Sequence, residues 1–532
     1  MSEWIYADVW ETIADLQGDA LALSHGDRHF SWREFDQRAD GIGQTLLDVG
    51  ARHQDKVAMM LYNCPEYLET TFACLKTGLV PVNTNYRYRE DELVYLWDNA
   101  DAVAVVFHGV FADRVDAIRG KVPDVHTWIW VDDGSGACPD WAIPYEKAAA
   151  STTSRTRAPW GRDGSDLIMI YTGGTTGMPK GVMWRQHDQY CAFNAYGDPT
   201  EQDLDIVAAR VGGSPIKPVG LPGSPVMHAT GFMFSLTQLN LGGRVATLAG
   251  RHFDVNELFG TIEREKVTAM AIVGDAFARP MLAALDETPD KWDVSSLMML
   301  VSAGVMWSAE VKEGLARHLP HLVMIDVLGS TEAHGIGTSV ASGGKASTGK
   351  FSLGENALVV TDDGRKVEPG SGEVGKVAVR GYMPLGYYKD QAKTDANFLM
   401  IEGERLSVPG DYATVEADGT ITLLGRGSVC INTGGEKVFP EEVEEALKTH
   451  PAVTDATVVG IPDERFGQAI SAVVTLAPGA SAENSELIAH VKGEIAGYKA
   501  PKHILVVESL GRGPNGKADY AGARERVIAS LA

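Results

Sequence analysis

The feature that most constrains the fold of this chain is an alternation of short apolar runs with amphipathic helical segments. The apolar runs lie at residues 56–61, 102–107, 167–171, 244–248, 268–273 and 322–327. Between them, segments such as 65–78 carry apolar residues at three- and four-residue spacings, and Gly78 stands where that helix would end. Buried parallel strands joined by helical crossovers produce this pattern. Roughly the first four hundred residues therefore predict one large, multi-layer α/β assembly with parallel sheets.

The pattern changes near residue 345, where the apolar runs shorten and turn signals such as 369–375 (PGSGEVG) become frequent. This spacing predicts a small antiparallel, β-barrel-like part that closes the large domain. After Gly427 the chain shows a separate α+β pattern of helix, two strands, helix and strand. We therefore predict an N-terminal domain over 1–425, a hinge at 426–428 and a small mobile C-terminal domain over 429–532.

Length, charge and cysteine content exclude several classes of protein. The chain has 532 residues, several times the ~150 of one ordinary domain. Its formal charge of −24 argues against non-specific binding to nucleic acid or anionic lipid. We expect no secretory signal and no membrane-spanning run of ~20 apolar residues. The five cysteines are scattered without CxxC spacing, which predicts reduced thiols in a cytoplasmic protein and no cysteine metal site.

The strongest chemical signal is the segment 171–182, YTGGTTGMPKGV, which follows a predicted strand. Glycines let backbone N–H groups converge on an anion, threonine hydroxyls add donors, and a lysine adds positive charge. The predicted phosphate-binding residues are Thr172, Gly173, Gly174, Thr175, Thr176, Gly177 and Lys180. The spacing does not fit the GxxxxGK[ST] loop of ordinary NTPases, because Pro179 precedes the lysine and Gly181 follows it. A flexible surface turn is the alternative interpretation.

The segment resembles the signature loop of the adenylate-forming superfamily, which contains acyl-CoA synthetases, luciferases and non-ribosomal adenylation domains. Further motifs follow in the order expected for that family. The resemblance implies an adenine-pocket turn and a motif in which Thr331 touches the adenylate phosphate and Glu332 helps to hold Mg²⁺. The residues assigned to nucleotide binding are Gly304, Val305, Met306, Asp326, Leu328, Gly329, Ser330 and Thr331. Leu328 departs from the family pattern, which has an aromatic residue there.

Two further motifs of the resemblance involve the predicted domain junction and the C-terminus. Asp411, in Pro-Gly-Asp, matches the aspartate that binds both ribose hydroxyls, and a carboxylate is the acceptor that two hydroxyl donors need. Arg426 matches the arginine that joins it. Lys517, in a Gly-rich loop, matches the lysine that offsets charge between the carboxylate and the α-phosphate. Taken alone, Asp411 would be interpreted as a turn residue and Lys517 as a solvated tail charge.

The predicted hinge and the loop after it concern the second half of the reaction. Ser428 stands where the family has Asp or Lys, and rotation at this point is implied between the two steps. Gly435 matches a glycine that lines the pantetheine tunnel of ligases that use coenzyme A, and Lys437 is assigned to phosphate. The resemblance thus implies ATP, Mg²⁺ and coenzyme A, with Lys517, Thr331, Glu332 and Lys180 as catalytic groups.

The predicted acid-binding residues are His228, Gly231 and Phe232. His228 matches the histidine at the acyl-pocket opening of fatty-acid and aryl ligases, although a lone histidine is also common in cores. For Phe232, packing in the core is an equally good interpretation. The acid that grips an α-ammonium group in amino-acid adenylation domains is missing around 225–232.

The segments 171–185, 425–448 and 494–502 resemble actinobacterial acyl-CoA ligases for steroid side chains. The leading prediction is therefore an ATP-dependent acyl-CoA ligase for a steroid side-chain acid, with medium- or long-chain fatty acids as the alternative. A small-molecule acid, ATP and coenzyme A are the expected partners, with a homodimer as the possible assembly. Rival hypotheses are an acyl-adenylate enzyme with a non-CoA acceptor, a luciferase-like oxygenase, and a binding protein that kept an inactive nucleotide fold.

Overall fold

The computed structural model of the protein describes residues 5–172, 178–193, 204–213, 217–305, 307–342, 348–433, 436–463, 466–513 and 516–531. In chain order, the α-helices are α1 (Tyr6–Gln17), α2 (Trp32–Asp48), α3 (Pro65–Thr77), α4 (Glu90–Asn99), α5 (Ala112–Arg119), α6 (Tyr145–Ala149), α7 (Gln186–Phe193), α8 (Leu204–Gly213), α9 (Ala229–Asn240), α10 (Val255–Glu265), α11 (Asp275–Glu287), α12 (Ala309–His318), α13 (Gln391–Asn397), α14 (Pro440–Lys448), α15 (Asn484–Glu494) and α16 (Tyr520–Leu531).

The strands in the first half of the chain are β1 (Leu21–His25), β2 (Arg28–Ser31), β3 (Lys56–Met60), β4 (Val80–Asn83), β5 (Ala102–His108), β6 (Thr127–Val131), β7 (Ile143–Pro144), β8 (Leu167–Thr172), β9 (Lys180–Arg185), β10 (Val219–Pro222), β11 (Arg244–Thr247) and β12 (Ala269–Ile272). Those in the second half are β13 (Met299–Ala303), β14 (Val323–Leu328), β15 (Gly337–Ala341), β16 (Lys350–Leu353), β17 (Ala357–Val360), β18 (Val374–Val379), β19 (Gly386–Tyr387), β20 (Phe398–Ile401), β21 (Glu404–Ser407), β22 (Asp411–Val415), β23 (Ile421–Arg426), β24 (Ile431–Thr433), β25 (Glu436–Val438), β26 (Val453–Asp463), β27 (Gly467–Leu476) and β28 (His503–Val506).

Two large sheets form the N-terminal part. The first has the order β19-β9-β8-β4-β3-β5-β6-β7, with β3 to β8 parallel and with β9 and β19 antiparallel at one edge. In the second, β1, β11, β10, β12, β13 and β14 are parallel neighbours. Antiparallel strands from β15 onward continue that sheet, because β14 pairs with β15, and β16 pairs with β23.

Helix α3 shows how tightly the N-terminal part is packed, since every one of its residues is buried. Pro65 opens the helix, where its missing N–H costs nothing, and Gly78 ends it in the left-handed conformation at φ 65°. The ammonium of Lys76 is fully buried and lies 2.6 Å from both Asp36 and Asp40 of α2. A buried charge needs such partners, so the ion pairs lock α3 against α2.

The C-terminal part has a sheet of its own, in the order β25-β24-β27-β26 with β28 beside β27. Its apolar residues form separate hydrophobic clusters beneath α14, α15 and α16. The long β26–β27 hairpin is the centre of this unit. The predicted strands and helices of both parts are confirmed to within a few residues, as is the mixed α/β fold with a small C-terminal unit.

Candidate functional site

The phosphate-loop segment joins two antiparallel strands at the edge of the first sheet. Strand β8 ends at Thr172, which pairs directly with Lys180 at the start of β9. The predicted loop residues 173–177 lie outside the described residues. The ammonium of Lys180 forms an ion pair with Asp390, the residue that caps α13. The two described ends of the loop thus lie side by side, as a loop that wraps an anion requires.

A buried asparagine ties the end of β8 to the predicted acid pocket. Asn83 ends the apolar strand β4, and its amide donates to the carbonyl oxygens of Tyr171 at 2.9 Å and Met227 at 2.7 Å. The side-chain oxygen Oδ1 of Asn83 accepts a hydrogen bond from the Tyr171 N–H at 2.7 Å. Asn63 acts similarly, donating to Ser224 O at 3.1 Å and accepting from Val226 N at 2.7 Å. The two side chains hold the segment that leads to His228.

The predicted nucleotide motif follows the end of β14. Leu328 is buried at the strand end. The carbonyl of Thr331 accepts a hydrogen bond from Trp184 Nε1 at 2.9 Å. The carboxylate of Glu332 accepts from Tyr387 Oη at 2.8 Å, and its carbonyl accepts from Ser407 Oγ at 2.7 Å. Thr331 and Glu332 are therefore fixed by three separate elements.

Asp326, one of the predicted nucleotide residues, is already paired within the protein. It is buried on β14 and forms an ion pair with Lys312 of α12. Burial raises the pKa of this carboxyl to about 6, against the lowering effect of Lys312. This ion pair joins α12 to the interior of the second sheet, because β14 pairs with β13 on one side and with β15 on the other.

Asp411 and Arg426 face each other at the ends of β22 and β23, where the two residues are direct antiparallel partners. Arg426 Nε donates to Asp411 Oδ1 at 3.1 Å. The negative charge of Asp411, and to a smaller extent that of Glu332, raises the pKa of Arg426 above its ordinary value. Antiparallel pairing thus brings together two predicted site residues that are fifteen positions apart in sequence.

The Lys517 loop lies against the N-terminal part. A methyl group added at Gly516 would come within 3.2 Å of Ala276 in α11, and one added at Gly304 would lie 4.0 Å from Lys517 Cε. Gly304 has φ 94°, a left-handed conformation that favours glycine. Desolvation first, and then the charge of Arg426, lower the pKa of Lys517, while Glu332 and Asp411 oppose them. Lys517 is an exposed residue, and the charges of Arg426, Glu332 and Asp411 all act on its ammonium.

His228 caps α9 beside a narrow apolar cavity, which Phe232, Ile170 and Met227 also line. Burial first, and then the charges of Lys517 and Arg87, lower the pKa of His228 to about 4, so its imidazole is neutral at neutral pH. Packing also favours glycine at position 231, because a methyl group added at Gly231 would lie 2.8 Å from the carbonyl oxygen of Pro225. The predicted pocket residues therefore share one region.

The remaining predicted residues follow β13 or β14 in sequence or belong to the segment after β23. Gly329 and Ser330 form the turn after β14, where Ser330 N donates to Ala333 O at 2.8 Å, and Val305 packs against the cluster that supports β13. Met306 and Gly435 lie outside the described residues, as do the side chains of Ser428 and Lys437. The backbone of Lys437 pairs with Asn432 in the β24–β25 hairpin.

Glu332 is the residue that is predicted to help hold Mg²⁺. Within the described ranges, no cluster of three or more His, Cys, Asp or Glu side chains could hold a metal. Mg²⁺ that arrives with a nucleotide takes most of its ligands from phosphates and water and needs only one or two protein carboxylates. Glu332 beside Thr331 fits that requirement.

Sequence reasoning missed several residues that build this site. Tyr387 and Asp390 contact the two predicted catalytic charges Glu332 and Lys180, and Asn83 and Asn63 fix the backbone around them. A buried polar residue at the end of an apolar strand, as Asn83 is in VPVN, was the available signal. Tyr387 offered none, since its partner is 55 residues away.

Known protein families and curated relatives match this chain over nearly its whole length. The sequence profile described as "AMP-binding enzyme" matches residues 10–388, and "AMP-binding enzyme C-terminal domain" matches residues 442–517. A Mycolicibacterium smegmatis protein named medium/long-chain-fatty-acid–CoA/3-oxocholest-4-en-26-oate–CoA ligase is 40% identical over 98% of this chain and 96% of its own. A Rhodococcus rhodochrous 3-oxocholest-4-en-26-oate–CoA ligase is 40% identical over 98% of this chain and 95% of its own.

The solved structures support the fold. A crystal structure of the anthranilate CoA ligase AuaEII with anthranoyl-AMP superposes with a TM-score of 0.86, at 23% identity over 100% of this chain and 98% of that one. ATP-bound MatB from Rhodopseudomonas palustris gives 0.81 at 24% identity, with 99% of each chain covered. At these identities the likeness concerns the arrangement of the chain alone.

Proposed function

This chain belongs to the family of AMP-binding enzymes and is an AMP-forming acyl-CoA ligase, and we propose that its acid is a steroid side-chain acid. ATP and coenzyme A are its co-substrates. In the first step the substrate carboxylate attacks the α-phosphorus of ATP, so that acyl-AMP forms and pyrophosphate leaves. In the second step the thiol of coenzyme A attacks the acyl carbon, a thioester forms and AMP leaves. The proton of the thiol is released to solvent.

One observation carries the assignment of the site. Lys517 and Glu332 lie far in sequence from the neighbouring pair Asp411 and Arg426, yet the charges of Arg426, Glu332 and Asp411 all act on the Lys517 ammonium, and those of Asp411 and Glu332 act on Arg426. Positive and negative side chains gathered around an opening are suited to hold a nucleotide and to stabilise charge that moves during its reaction. A binding protein with an inactive nucleotide fold would have no need for all four.

The roles proposed for these groups follow from their chemistry. Asp411 accepts hydrogen bonds from the ribose hydroxyls, and Arg426 orients that carboxylate. Lys517 offsets negative charge between the attacking carboxylate and the α-phosphate. Lys180 exchanges Asp390 for phosphate oxygens. Mg²⁺ held in part by Glu332 would neutralise charge on the phosphates of bound ATP.

We propose that the chain divides at a hinge of residues 426–428, between a domain of residues 1–425 and one of residues 429–532. The close approach of Gly516 to α11 supports this, because a methyl group added at Gly516 would lie 3.2 Å from Ala276, so the Lys517 loop lies against the N-terminal part as the first step requires. Opening at the hinge would withdraw Lys517 and admit coenzyme A. Gly435 is proposed to line the tunnel for the pantetheine arm of coenzyme A, and Lys437 is proposed to bind phosphate.

The choice of acid rests on relatives and on the apolar pocket. The Rhodococcus relative is named for a steroid acid, and the Mycolicibacterium relative for both that acid and fatty acids. Medium- or long-chain fatty acids are therefore the second candidate. The cavity beside His228 has a volume of only about 10 Å³, so either acid requires the side chains that line it to move apart.

A pyrophosphate-release screen tests the proposal. Purified protein is given ATP and Mg²⁺ with steroid side-chain acids, straight-chain acids or amino acids, each with and without coenzyme A. We expect release with the first class, a thioester only when coenzyme A is present, and none with amino acids. Release with straight-chain acids alone would replace the steroid acid by the second candidate, and no release with any acid would contradict the function.

Location and assembly stay predictions. No helix among the described residues is long and apolar enough to cross a membrane. Cys64, Cys74, Cys138, Cys191 and Cys430 form no disulfide bond within the described residues, which supports the proposal of a reducing cytoplasmic compartment. The proposed homodimer is checked by light scattering of the purified protein.

A further inference from the structure

The segment of residues 386–397, formed by β19 and α13, lies beside the phosphate-loop strand β9. Strand β19 pairs with β9 through Gly386 opposite Met183 and Tyr387 opposite Val182. The ladder continues on both sides, since Leu385 N donates to Met183 O and Tyr388 N donates to Gly181 O, each at 2.8 Å. The segment is thus attached to the strand that begins at Lys180.

Tyr387 reaches from this segment to the carboxylate of Glu332. Its hydroxyl donates to Glu332 Oε1 at 2.8 Å and accepts a hydrogen bond from Asn397 Nδ2, also at 2.8 Å. The side chain is 4% exposed, and its ring packs edge-on against Phe398 at 6.1 Å. A buried phenol that is held by one donor and directed at one acceptor has few orientations to choose from.

The backbone around Tyr387 is equally fixed. Its N–H donates to Thr394 Oγ1 at 2.9 Å, and that hydroxyl donates to Asp390 O at 2.9 Å. Gly386 has φ 144°, and any side chain there would collide with Thr394. Asp390 itself caps α13 through Lys393 N at 2.9 Å while it pairs with Lys180. The segment formed by β19 and α13 therefore connects Lys180, through Asp390, to Glu332, through Tyr387.

We propose that Tyr387, held by Asn397, is a positioning residue that orients the Glu332 carboxylate toward a nucleotide-bound Mg²⁺. The inference rests on the proposed role of Glu332. A hydrogen bond to one carboxylate oxygen fixes the plane of the group, so that the second oxygen points in a defined direction. A metal that demands near-ideal octahedral geometry binds less well to a carboxylate that can rotate.

The test is calorimetric titration of ATP into the full-length protein, with Mg²⁺ and, separately, with EDTA and no metal. Tyr387→Phe keeps the ring and removes only the hydroxyl. We expect its affinity for ATP to fall roughly tenfold with Mg²⁺, as for the loss of a hydrogen bond to a charged group, and to be unchanged in EDTA. Asn397→Ala, which removes the support of the hydroxyl, should cause a loss of about threefold in Mg²⁺ only.

Tyr388→Phe is the matched control, because the adjacent hydroxyl donates to Asp101 Oδ2 at 2.6 Å instead. It should bind ATP like the unmodified protein in both conditions. Unchanged MgATP affinity in Tyr387→Phe, or an equal loss with and without metal, would overturn the proposal. These titrations contain no substrate acid, so they test the role of Tyr387 separately from the choice of acid. Failure of the proposed function would be recognised in the pyrophosphate-release screen.

Discussion

Arg426 donates from Nε to Asp411 Oδ1 at 3.1 Å, across a direct antiparallel pair at the ends of β22 and β23. The arginine side chain is 45% exposed, whereas the aspartate side chain is 9% exposed. A partly exposed positive charge thus holds the more buried carboxylate. This contact orients the carboxylate, which is the acceptor that two hydroxyl donors need.

Asp411→Asn should raise the KM for ATP by roughly tenfold to a hundredfold, because hydrogen bonds to a charged acceptor are lost. The KM for the acid should change little. Steady-state kinetics with each substrate varied in turn measures both. Glu373→Gln is the control, since that carboxylate forms an exposed surface pair with Arg365. Equal KM values for ATP in the two variants would exclude Asp411 from nucleotide binding.

His228→Ala should lower kcat/KM for the acid by about tenfold and leave the KM for ATP unchanged, because one buried polar contact beside the cavity is lost. The pKa of His228 is lowered from 6.5 to about 4, so the neutral imidazole is the form the site stabilises. As pH falls from 6.5 toward 4, an exposed histidine takes up a proton that the buried one does not, and the closed site loses stability.

The ring resonance of His228, assigned by its absence in the alanine variant, gives a direct check on this titration. It should show no change between roughly pH 7 and 5. A midpoint near the ordinary histidine value would mean that His228 is solvated and does not line the cavity.

A carboxyl group beside the proposed hinge is expected to make domain closure sensitive to pH. Glu441 of α14 packs directly against Gly425, and one of its oxygens has no hydrogen-bond partner among the described residues. Burial first, and then Glu444 and Asp411, raise its pKa above the ordinary 4.5, against the backbone N–H of Arg426. The charges of Glu444 and Glu441 also contribute to the raised pKa of Tyr520, after its burial.

A closed arrangement that raises the pKa of a carboxyl binds its proton more tightly than an open one. Closure is therefore most favourable at low pH, and it loses this advantage as pH rises from 4.5 through the raised value. Glu441→Gln removes the ionisation. In that variant the ratio of adenylate formation to thioester formation should be flatter over roughly pH 6 to 9 than in the unmodified protein. Identical pH profiles would show that Glu441 does not control closure.

Asn83→Ala should destabilise the N-terminal part by about 2–4 kcal/mol, because it leaves three buried backbone groups of Tyr171 and Met227 without their partner. It should also slow adenylate formation, since both neighbouring segments carry site residues. Urea unfolding followed by tryptophan fluorescence measures the first effect. Asn256→Ala, which removes an exposed contact with Lys291, serves as the control. A loss of stability no greater than in that control would show that Asn83 does not hold these two segments together.

How far the sequence predicts this protein depends on the range of the signal. The apolar run 102–107 became β5, and the stop at Gly78 became a left-handed helix cap, because burial and glycine conformation act locally. Asp411, Arg426 and Lys517 were identified from motifs that surround each of them in sequence. The antiparallel pairing that joins Asp411 to Arg426 is a tertiary fact, which the individual motifs do not contain.

The supporting residues were missed for the same reason. Tyr387 acts on Glu332 through a strand pair that no local pattern encodes, and Asp390 meets Lys180 across 210 positions. The antiparallel part predicted near residue 345 is present, but hydrogen bonds join it directly to the parallel sheet through β14 and β15. Sequence periodicity defines strands, whereas the choice of neighbour depends on the whole packed domain.

We propose that Lys517, in the C-terminal part, serves adenylate formation and not the transfer to coenzyme A. Single-turnover kinetics of Lys517→Ala measures the two steps separately, one from acid and ATP and the other from supplied acyl-AMP and coenzyme A. We expect the first rate to fall by about a hundredfold to a thousandfold, as for loss of a charge-stabilising group, and the second to stay within about twofold. Equal losses in both steps would contradict this role of Lys517.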